Sequence, residues 1–362
     1  MFFSQKGDKT LDVVAQSLAD YYALSLAQTQ PWCNVDNGKC VVTLPFCAQT
    51  QYELVQNVIA NGLKNAGVPA MDVTLSQKIE GAQTKQPAVT NIRNIVAVAS
   101  GKGGVGKSTT SLNLAFALMQ EGAKVGILDA DIYGPSVPIM LGNPDAHPAS
   151  KDNKHMQPIE AWGLVANSIG YLVPAEDAAV WRGPIASRAL TQLVEETQWP
   201  VLDYLIVDMP PGTGDIQLTM SQQVPLSAAV VVTTPQDLAV ADAQKGISMF
   251  EKVDVPVVGL VENMSYYQCT ACGHKDYLFS EGGGQALAQR YELPLLAALP
   301  LDTTIREHAD LGKPLVLEKP DSAIANVYRE AARAMSMQMA LTLPKRESES
   351  NIRGETIGLT QL

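Results

Sequence analysis

The sequence predicts an α/β fold in which a doubly wound, mostly parallel β-sheet follows a small α+β domain. Two observations indicate the sheet: short runs of consecutive apolar residues recur along the chain, and helix-like stretches separate them. The runs are 95–99, 125–128, 204–207, 228–232 and 257–261. Because their apolar residues are continuous rather than alternating, they predict strands that are buried on both faces, as in a parallel sheet covered by helices.

The chain before these runs has a different pattern and predicts a separate unit. It offers a helix at 11–26, a strand at 39–44 and a helix at 52–66, and a polar segment containing Pro87 follows. A final helix is predicted at 323–343. We therefore predict a small α+β domain at 1–80, a linker at 81–91, the main domain at 92–343 and a polar tail at 344–362.

Composition limits the classes of partner. The 362 residues carry 37 acidic and 26 basic side chains, a formal net charge of −11. Because phosphate neutralisation needs clustered Lys and Arg, this argues against a protein that coats nucleic acid or an anionic membrane. No run of about 18 apolar residues and no secretory signal is evident, so we expect a cytoplasmic protein. Five cysteines, an odd number, favour metal or thiol chemistry over a disulfide framework.

In a sheet of this type the ligand lies beyond the carboxyl ends of the strands. The first predicted strand is followed by Gly101-Lys102-Gly103-Gly104-Val105-Gly106-Lys107-Ser108, which matches the pattern G-x-x-x-x-G-K-[ST] and precedes a helix at 108–120. Glycines let the backbone N–H groups turn toward phosphate oxygens, helped by the positive end of the helix. The pattern predicts a P-loop that binds ATP, with Lys107 at the outer phosphates, Ser108 at Mg²⁺ and Thr109 continuing the contact. A glycine-rich turn without a ligand is the alternative.

The second lysine of this loop is unusual. Lys102 makes the loop resemble the deviant Walker A loop of the MinD/ParA and nitrogenase iron-protein class. That resemblance implies a nucleotide-sandwich dimer in which Lys102 reaches the phosphates of the facing subunit. The alternative is an exposed lysine without a special role.

Hydrolysis also needs a Mg²⁺ ligand and a group that orients water, and carboxylates after neighbouring strands can supply both. The segment 129–135 resembles the first switch of this class, with Asp131 as the water-orienting residue. The segment 208–215 resembles the Walker B and second-switch region, with Asp208 bound to Mg²⁺ through water. We predict Lys102, Lys107 and Asp131 as the catalytic set; helix caps or turn residues are the alternative for the carboxylates.

A cysteine pair follows the last apolar run. Cys269 and Cys272 are separated by two residues, so their thiolates can chelate one iron or zinc ion. A tetrahedral site needs four ligands, and two copies of the pair meeting at a two-fold axis provide them. A structural zinc site that includes His274 and a redox dithiol are the alternatives.

Taken together, these motifs resemble the Mrp/ApbC family of iron–sulfur cluster carrier ATPases over about 92–333. The segments that carry the likeness are the P-loop, 126–136, 181–184, 208–215, 233–237, 262–265 and the cysteine pair. The resemblance implies a [4Fe–4S] cluster bridging a homodimer on Cys269 and Cys272, received from an assembly scaffold and handed to apo-proteins with slow ATP hydrolysis. It also implies that Asn263 contacts adenine.

Two other functions are compatible with the loop. One is a MinD/ParA-like positioning ATPase that binds a membrane or DNA, against which the acidity and the cysteine pair both count. The other is a dimeric electron-transfer ATPase resembling the nitrogenase iron protein, whose cluster cysteines are far apart in sequence. Cys33, Cys40 and Cys47 recur every seven residues, and we expect buried thiols there, with a second cluster as the alternative.

Overall fold

The computed structural model describes residues 4–36, 38–173 and 183–346. Its first part is a three-stranded sheet of β1 (Cys33–Asp36), β2 (Lys39–Leu44) and β3 (Asp72–Gln77), in that order. Strands β1 and β2 are antiparallel, and β2 and β3 are parallel. The helices of this part are α1 (Ser4–Tyr22), α2 (Leu26–Thr29) and α3 (Tyr52–Asn65).

The alternation along β2 explains how this small sheet is covered. Cys40, Val42 and Leu44 are fully buried, whereas Lys39 and Val41, which alternate with them, are exposed. Successive side chains of a strand point to opposite faces, so one face of β2 packs against the core. Helices α1 and α3 contribute Leu18 and Ile59 to that core.

The main sheet is doubly wound, and the predicted fold class is confirmed. Its strands are β4 (Ile92–Ala99), β5 (Val125–Asp129), β6 (Ile159–Ala161), β7 (Leu164–Ser168), β8 (Leu202–Asp208), β9 (Ala228–Thr233), β10 (Val257–Gln268), β11 (Lys275–Asp276) and β12 (Leu295–Pro300). Parallel pairing gives the order β12-β10-β9-β4-β8-β5-β7. Two antiparallel pairs flank it, β6 with β7 and β11 with the far end of β10.

Helices cover both faces of this sheet. They are α4 (Lys107–Gln120), α5 (Val137–Met140), α6 (Gly183–Glu196), α7 (Asp215–Gln223), α8 (Asp237–Lys252), α9 (Gly283–Arg290), α10 (Thr303–Asp310), α11 (Leu315–Glu318) and α12 (Ala323–Thr342). In β4, Val96 and Val98 pack in the layer with α4 and α12, while Ala97 and Ala99 pack in the layer with α8. Burial on both faces is the reason that the strand sequences are continuously apolar. Among the described helices, none is long and apolar enough to cross a membrane.

The two parts of the chain share an interface at the end of α4. The side chain of Glu121 is fully buried there and accepts hydrogen bonds from the backbone N–H of Thr50 at 3.1 Å and from its hydroxyl at 2.6 Å. Arg333 of α12 donates to the same carboxylate at 2.5 Å. The carbonyl of Glu121 accepts from the backbone N–H of Gln49 and the side-chain amide of Gln77.

The predicted linker also makes contacts with the far end of the described chain. Gln83 donates its backbone N–H to the carbonyl of Pro344 at 2.8 Å, and Arg346 donates to Gly81 at 2.8 Å. Residues 347–362 of the predicted tail lie outside the described residues. The four-part division of the chain stays a proposal.

Candidate nucleotide site and cysteine hairpin

The predicted phosphate loop joins the carboxyl end of β4 to the start of α4. Gly106 lies immediately before the helix with φ of +81°, in the left-handed region that favours glycine. A Cβ at this position would collide with the side-chain amide nitrogen of Asn263. The Gly106 position therefore suits only glycine, and the N–H groups at the start of α4 are available to an anion.

Lys107 is the centre of the polar cluster below the loop. Its side chain is 6% exposed, and its Nζ lies 2.8 Å from Oδ1 of Asp208 and 3.9 Å from Oδ2 of Asp131. The same Nζ is 3.1 Å from the hydroxyl of Ser108. The structure thus brings together four residues that the sequence analysis assigned to phosphate, Mg²⁺ and water.

Asp208 has an incomplete set of partners. Its side chain is fully buried at the end of β8, and Oδ1 also accepts a 2.6 Å hydrogen bond from the hydroxyl of Ser111. Oδ2 has no hydrogen-bond partner among the described residues. A buried, unsatisfied carboxylate oxygen is costly, and a hard cation or its bound water would satisfy it. With the hydroxyl of Ser108 nearby, the donor set fits Mg²⁺.

Asp129 and Asp131 have separate roles in the loop after β5. Asp129 is fully buried and accepts hydrogen bonds from the backbone N–H groups of Asp131, Ser136 and Val137, at 3.0 to 3.1 Å. The Ser168 hydroxyl donates to it as well, at 3.1 Å. Asp129 therefore fixes the course of this loop, while the side chain of Asp131 is left to face Lys107.

The carboxyls of this cluster are electrostatically strained. Burial, with the negative charge of Asp208, raises the pKa of Asp129 to about 7. Burial also raises the pKa of Asp131, and the positive charge of Lys107 opposes that rise. A second cation nearby would stabilise the charged form of carboxylates that are crowded in this way.

We expect Asp129 to make stability depend on pH. Its pKa is raised on folding from 3.8 to about 7, so the native state binds the proton more tightly than the unfolded state. Stability from this group is then present at low pH and lost as pH rises toward 7. Chemical denaturation between pH 4 and 8 should show the parent losing stability relative to Asp129→Asn across that window. A constant difference between the two would contradict the assignment.

The remaining predicted loop residues are placed around this cluster. The backbone carbonyl of Lys102 accepts from the hydroxyl of Ser100 at 2.9 Å, and its side chain forms no ion pair within the described part of the chain. Gly103 and Gly104 are exposed. The hydroxyl of Thr109 lies 4.0 Å from the sulfur of Met140 in α5, next to the loop that Asp129 holds.

Asn263 meets the loop from β10. Its side chain is 8% exposed, and its amide donates to the carbonyl of Val105 at 2.9 Å. The structure thus places Asn263 against the P-loop backbone. A primary amide has two N–H hydrogens and a carbonyl, so this bond leaves groups for a base.

The cysteine pair lies at the tip of a hairpin that projects from the sheet. Strand β10 continues to Gln268 and returns as β11, with Tyr267 opposite Asp276. The turn is closed by two backbone hydrogen bonds, from Cys269 N–H to the carbonyl of His274 at 2.9 Å and from Gly273 N–H to the carbonyl of Cys269 at 2.8 Å. The hairpin therefore presents both sulfurs from one ordered turn.

The two sulfurs are accessible and one is activated. Cys272 is exposed and Cys269 is half-buried. Backbone N–H groups of Cys272 and Ala271, with the Cys272 thiol, lower the pKa of Cys269 below its usual value. Because the thiolate is the metal-binding form, this favours metal capture. Within the described ranges, no three His, Cys, Asp or Glu side chains form a group able to hold a metal.

The three other cysteines are buried, as the sequence analysis expects. Burial raises the pKa of Cys33 to about 12, of Cys40 to about 11 and of Cys47 to about 12. Such thiols are poor nucleophiles and poor metal ligands at neutral pH. Trp181 and Arg182, part of the predicted 181–184 motif, lie outside the described residues.

Two features of the site were not predicted from sequence. One is Ser111, three residues after Ser108 and therefore on the same face of α4. Helical spacing from the P-loop serine was the signal that could have identified it. The other is the contact of Asn263 with Val105, which depends on tertiary packing.

Comparison with known proteins gives the same family for most of the chain. Residues 91–336 match the family model described as ParA, NUBPL iron-transfer P-loop NTPase. The chain is 58% identical over 312 residues to the iron-sulfur cluster carrier protein of Haemophilus influenzae, covering 84% of this chain and 83% of that one. It is 48% identical over 253 residues to the iron-sulfur cluster transfer protein NUBPL of Mus musculus, covering 68% and 78%.

Solved structures place the fold in the same group. A nucleotide-binding protein from Archaeoglobus fulgidus in complex with ADP matches with a TM-score of 0.58 and 36% identity, over 66% of this chain and 93% of that one. The cell division ATPase MinD of Pyrococcus furiosus matches with a TM-score of 0.50 and 24% identity, over 67% and 98%, which supports the fold alone. The resemblance found in the sequence is thus confirmed, and the chain belongs to the iron-transfer P-loop NTPases of the ParA class, the family of the iron–sulfur cluster carrier proteins.

Proposed function

We propose that this protein is a homodimeric, ATP-binding and slowly hydrolysing carrier that holds a [4Fe–4S] cluster between its subunits and transfers it to apo-proteins. The observation that carries the proposal is the exposed dithiol turn of Cys269 and Cys272. It lies at the end of the same strand that contacts the phosphate loop through Asn263. A structural zinc site needs four ligands, and no third His, Cys, Asp or Glu ligand accompanies the pair within the described residues of one subunit.

The nucleotide chemistry follows from the cluster around Lys107. The loop from Gly101 to Thr109 cradles the phosphates of ATP through its N–H groups, and Lys107 exchanges its carboxylate partners for phosphate oxygens. Ser108 and Asp208 hold Mg²⁺, which when bound neutralises charge on the phosphates. Asp131, released by the lysine, orients the attacking water. Each role is supported by the distances around Lys107.

Two further assignments concern Lys102 and Asn263. Lys102 reaches the phosphates of the facing subunit, supported by its half-exposed side chain without an ion pair in the described part of the chain. Asn263 contacts adenine with the groups that its bond to Val105 leaves over. The Lys102 assignment places the nucleotide between two copies of the chain, whereas the Asn263 assignment concerns the subunit whose P-loop binds the nucleotide.

The cargo site forms from two copies of the hairpin. Two cysteine pairs related by a two-fold axis give four thiolates, the ligand set of a [4Fe–4S] cluster. The cluster is received from an assembly scaffold and passed to apo-proteins, and the exposure of Cys272 supports such exchange. A positioning ATPase, the main rival, has no need of these thiols.

The test is cluster binding by a cysteine variant. Full-length protein and the Cys269→Ala, Cys272→Ala variant are reconstituted anaerobically with iron and sulfide, and iron is counted. We expect about four iron atoms per parent dimer and nearly none in the variant. Cys33→Ala, which removes a buried thiol, is the control and should match the parent. If the double variant holds as much labile cluster as the parent, the carrier role fails.

A further inference from the structure

Strand β10 connects the nucleotide site to the cysteine hairpin without a break. It pairs with β9 as far as Glu262 opposite Thr233, and Asn263 then contacts the P-loop. The strand continues to Gln268, and Cys269 is the next residue. The P-loop contact and the first sulfur ligand are thus six residues apart on one chain segment.

This segment contains a strained stretch at residues 262–266, which we call the joint. The pairing of β10 with β12 shifts register between Glu262 and Tyr266. Within the shift, Met264 adopts φ of +54°, a left-handed conformation that is unfavourable for a residue with a side chain. Such a conformation is energetically unfavourable and persists only where the surroundings enforce it.

The surroundings hold both ends of the joint. The carboxylate of Glu262, 2% exposed, accepts hydrogen bonds from the hydroxyl of Ser265 and from the backbone N–H of Gly284, both at 2.5 Å. On the other side, Leu301 donates its N–H to the carbonyl of Tyr266 at 2.7 Å. Between these anchors, Asn263 and Met264 are the residues whose conformation can follow a movement of the P-loop.

The joint packs directly on the P-loop. The amide of Asn263 donates to the carbonyl of Val105 and fills the space that a Cβ of Gly106 would occupy. The terminal methyl of Met264 lies 4.0 Å from that same Cβ position. A shift of the loop at Val105 or Gly106 must therefore move Asn263, Met264 or both, since packed groups do not compress.

From this geometry we infer that Asn263 and Met264 are positioning residues that transmit nucleotide occupancy of the P-loop to the cysteine hairpin. The inference rests on the proposed function. Phosphate entering the loop draws Lys107 from its carboxylates and shifts the adjoining backbone at Gly106. The bond from Asn263 follows, the backbone at Met264 rotates, and the hairpin changes the exposure of Cys269 and Cys272.

The experiment measures thiol reactivity instead of cluster transfer. Full-length apo-protein is alkylated with iodoacetamide, with and without saturating Mg²⁺ and ADP, and the rate at the hairpin cysteines is followed by peptide mass spectrometry. We expect nucleotide to change the parent rate by at least about fivefold, the lower end of typical coupling between sites. Buried Cys47 serves as the internal reference.

Two variants test the joint separately. Asn263→Asp keeps the shape but cannot donate to Val105, and Met264→Gly relieves the left-handed strain. In both variants, the ratio of the alkylation rates with and without nucleotide should fall to about one, whether or not the nucleotide-free rate changes. Tyr267→Phe, which removes only a hydroxyl further along the hairpin, should keep the parent ratio.

Nucleotide affinity is measured for every protein with a fluorescent ADP analogue. If the parent binds ADP but its alkylation rate does not respond, or if Met264→Gly binds ADP and keeps the whole response, the coupling role is overturned. If Asn263→Asp loses affinity for ADP, the alkylation result for Met264→Gly alone decides whether the coupling role holds. Iron counting on the cysteine variant is independent of this result, so cluster carriage can stand when coupling fails. A parent that binds no nucleotide would overturn the coupling and the ATP-binding part of the proposed function, but not the cluster binding that iron counting measures.

Discussion

Replacement of Lys107 with methionine is expected to lower kcat for ATP hydrolysis by at least about 100-fold, the usual loss when a single charge-stabilising group is removed from a transition state. The side chain of Lys107 is almost fully buried, and its ammonium lies within 4 Å of both Asp208 and Asp131. Methionine preserves most of the volume but removes the positive charge that we propose to act on the phosphates. Phosphate release at saturating ATP and Mg²⁺ measures the effect.

The matched control is Lys64→Met at the exposed end of α3, which should hydrolyse ATP as the parent does. Circular dichroism would establish that both variants are folded. A Lys107→Met protein that turns over ATP at the parent rate would show that this lysine does not act on the phosphates.

Replacement of Glu121 with alanine is expected to destabilise the protein by about 3 kcal/mol or more, since removing one partner of a buried ion pair leaves the other charge uncompensated. Glu121 is fully buried, and Arg333 and the two donors of Thr50 all point at its carboxylate. Glu121 directly follows the helix that begins at Lys107, so the variant also disturbs the end of that helix. Urea unfolding, followed by fluorescence, measures the change.

An exposed ion pair gives the comparison. Arg306→Ala breaks the pair with Asp310, in which both side chains are more than 60% exposed. Pairs of this kind contribute about 0–1 kcal/mol, so this variant should unfold almost as the parent does. Equal midpoints for Glu121→Ala and Arg306→Ala would contradict the role given to the interface.

The sequence was sufficient for the features that depend on local pattern. The five apolar runs became the central strands of the sheet, because burial on both faces demands continuous apolarity. The P-loop motif became the turn between β4 and α4, because its glycines and helix start are encoded within eight residues. Asp131, Asp208, Lys107 and Ser108 meet because the carboxyl ends of neighbouring parallel strands share one edge.

Features that depend on packing at a distance were not predictable from the same patterns. The apolar run at 257–261 predicts the buried part of β10 but not its extension to Gln268, which is stabilised by β12 and the β11 return. The sequence around Met264 does not indicate a left-handed backbone, since methionine normally avoids that conformation. The two short strands β6 and β7 were also missed, because Glu160 divides β6 and Asn167 and Ser168 end β7, so neither offers a long apolar run.

The location of the sulfur atoms has a consequence for selectivity. Three of the five thiols are buried, Cys33 and Cys40 in the core of the small sheet and Cys47 in the core of the main sheet, and burial keeps all three protonated. Of the five thiols, only those of Cys269 and Cys272 are therefore accessible to iron, oxidants and alkylating reagents. A cluster donor would therefore find accessible thiolate ligands at one place on each subunit, the hairpin turn.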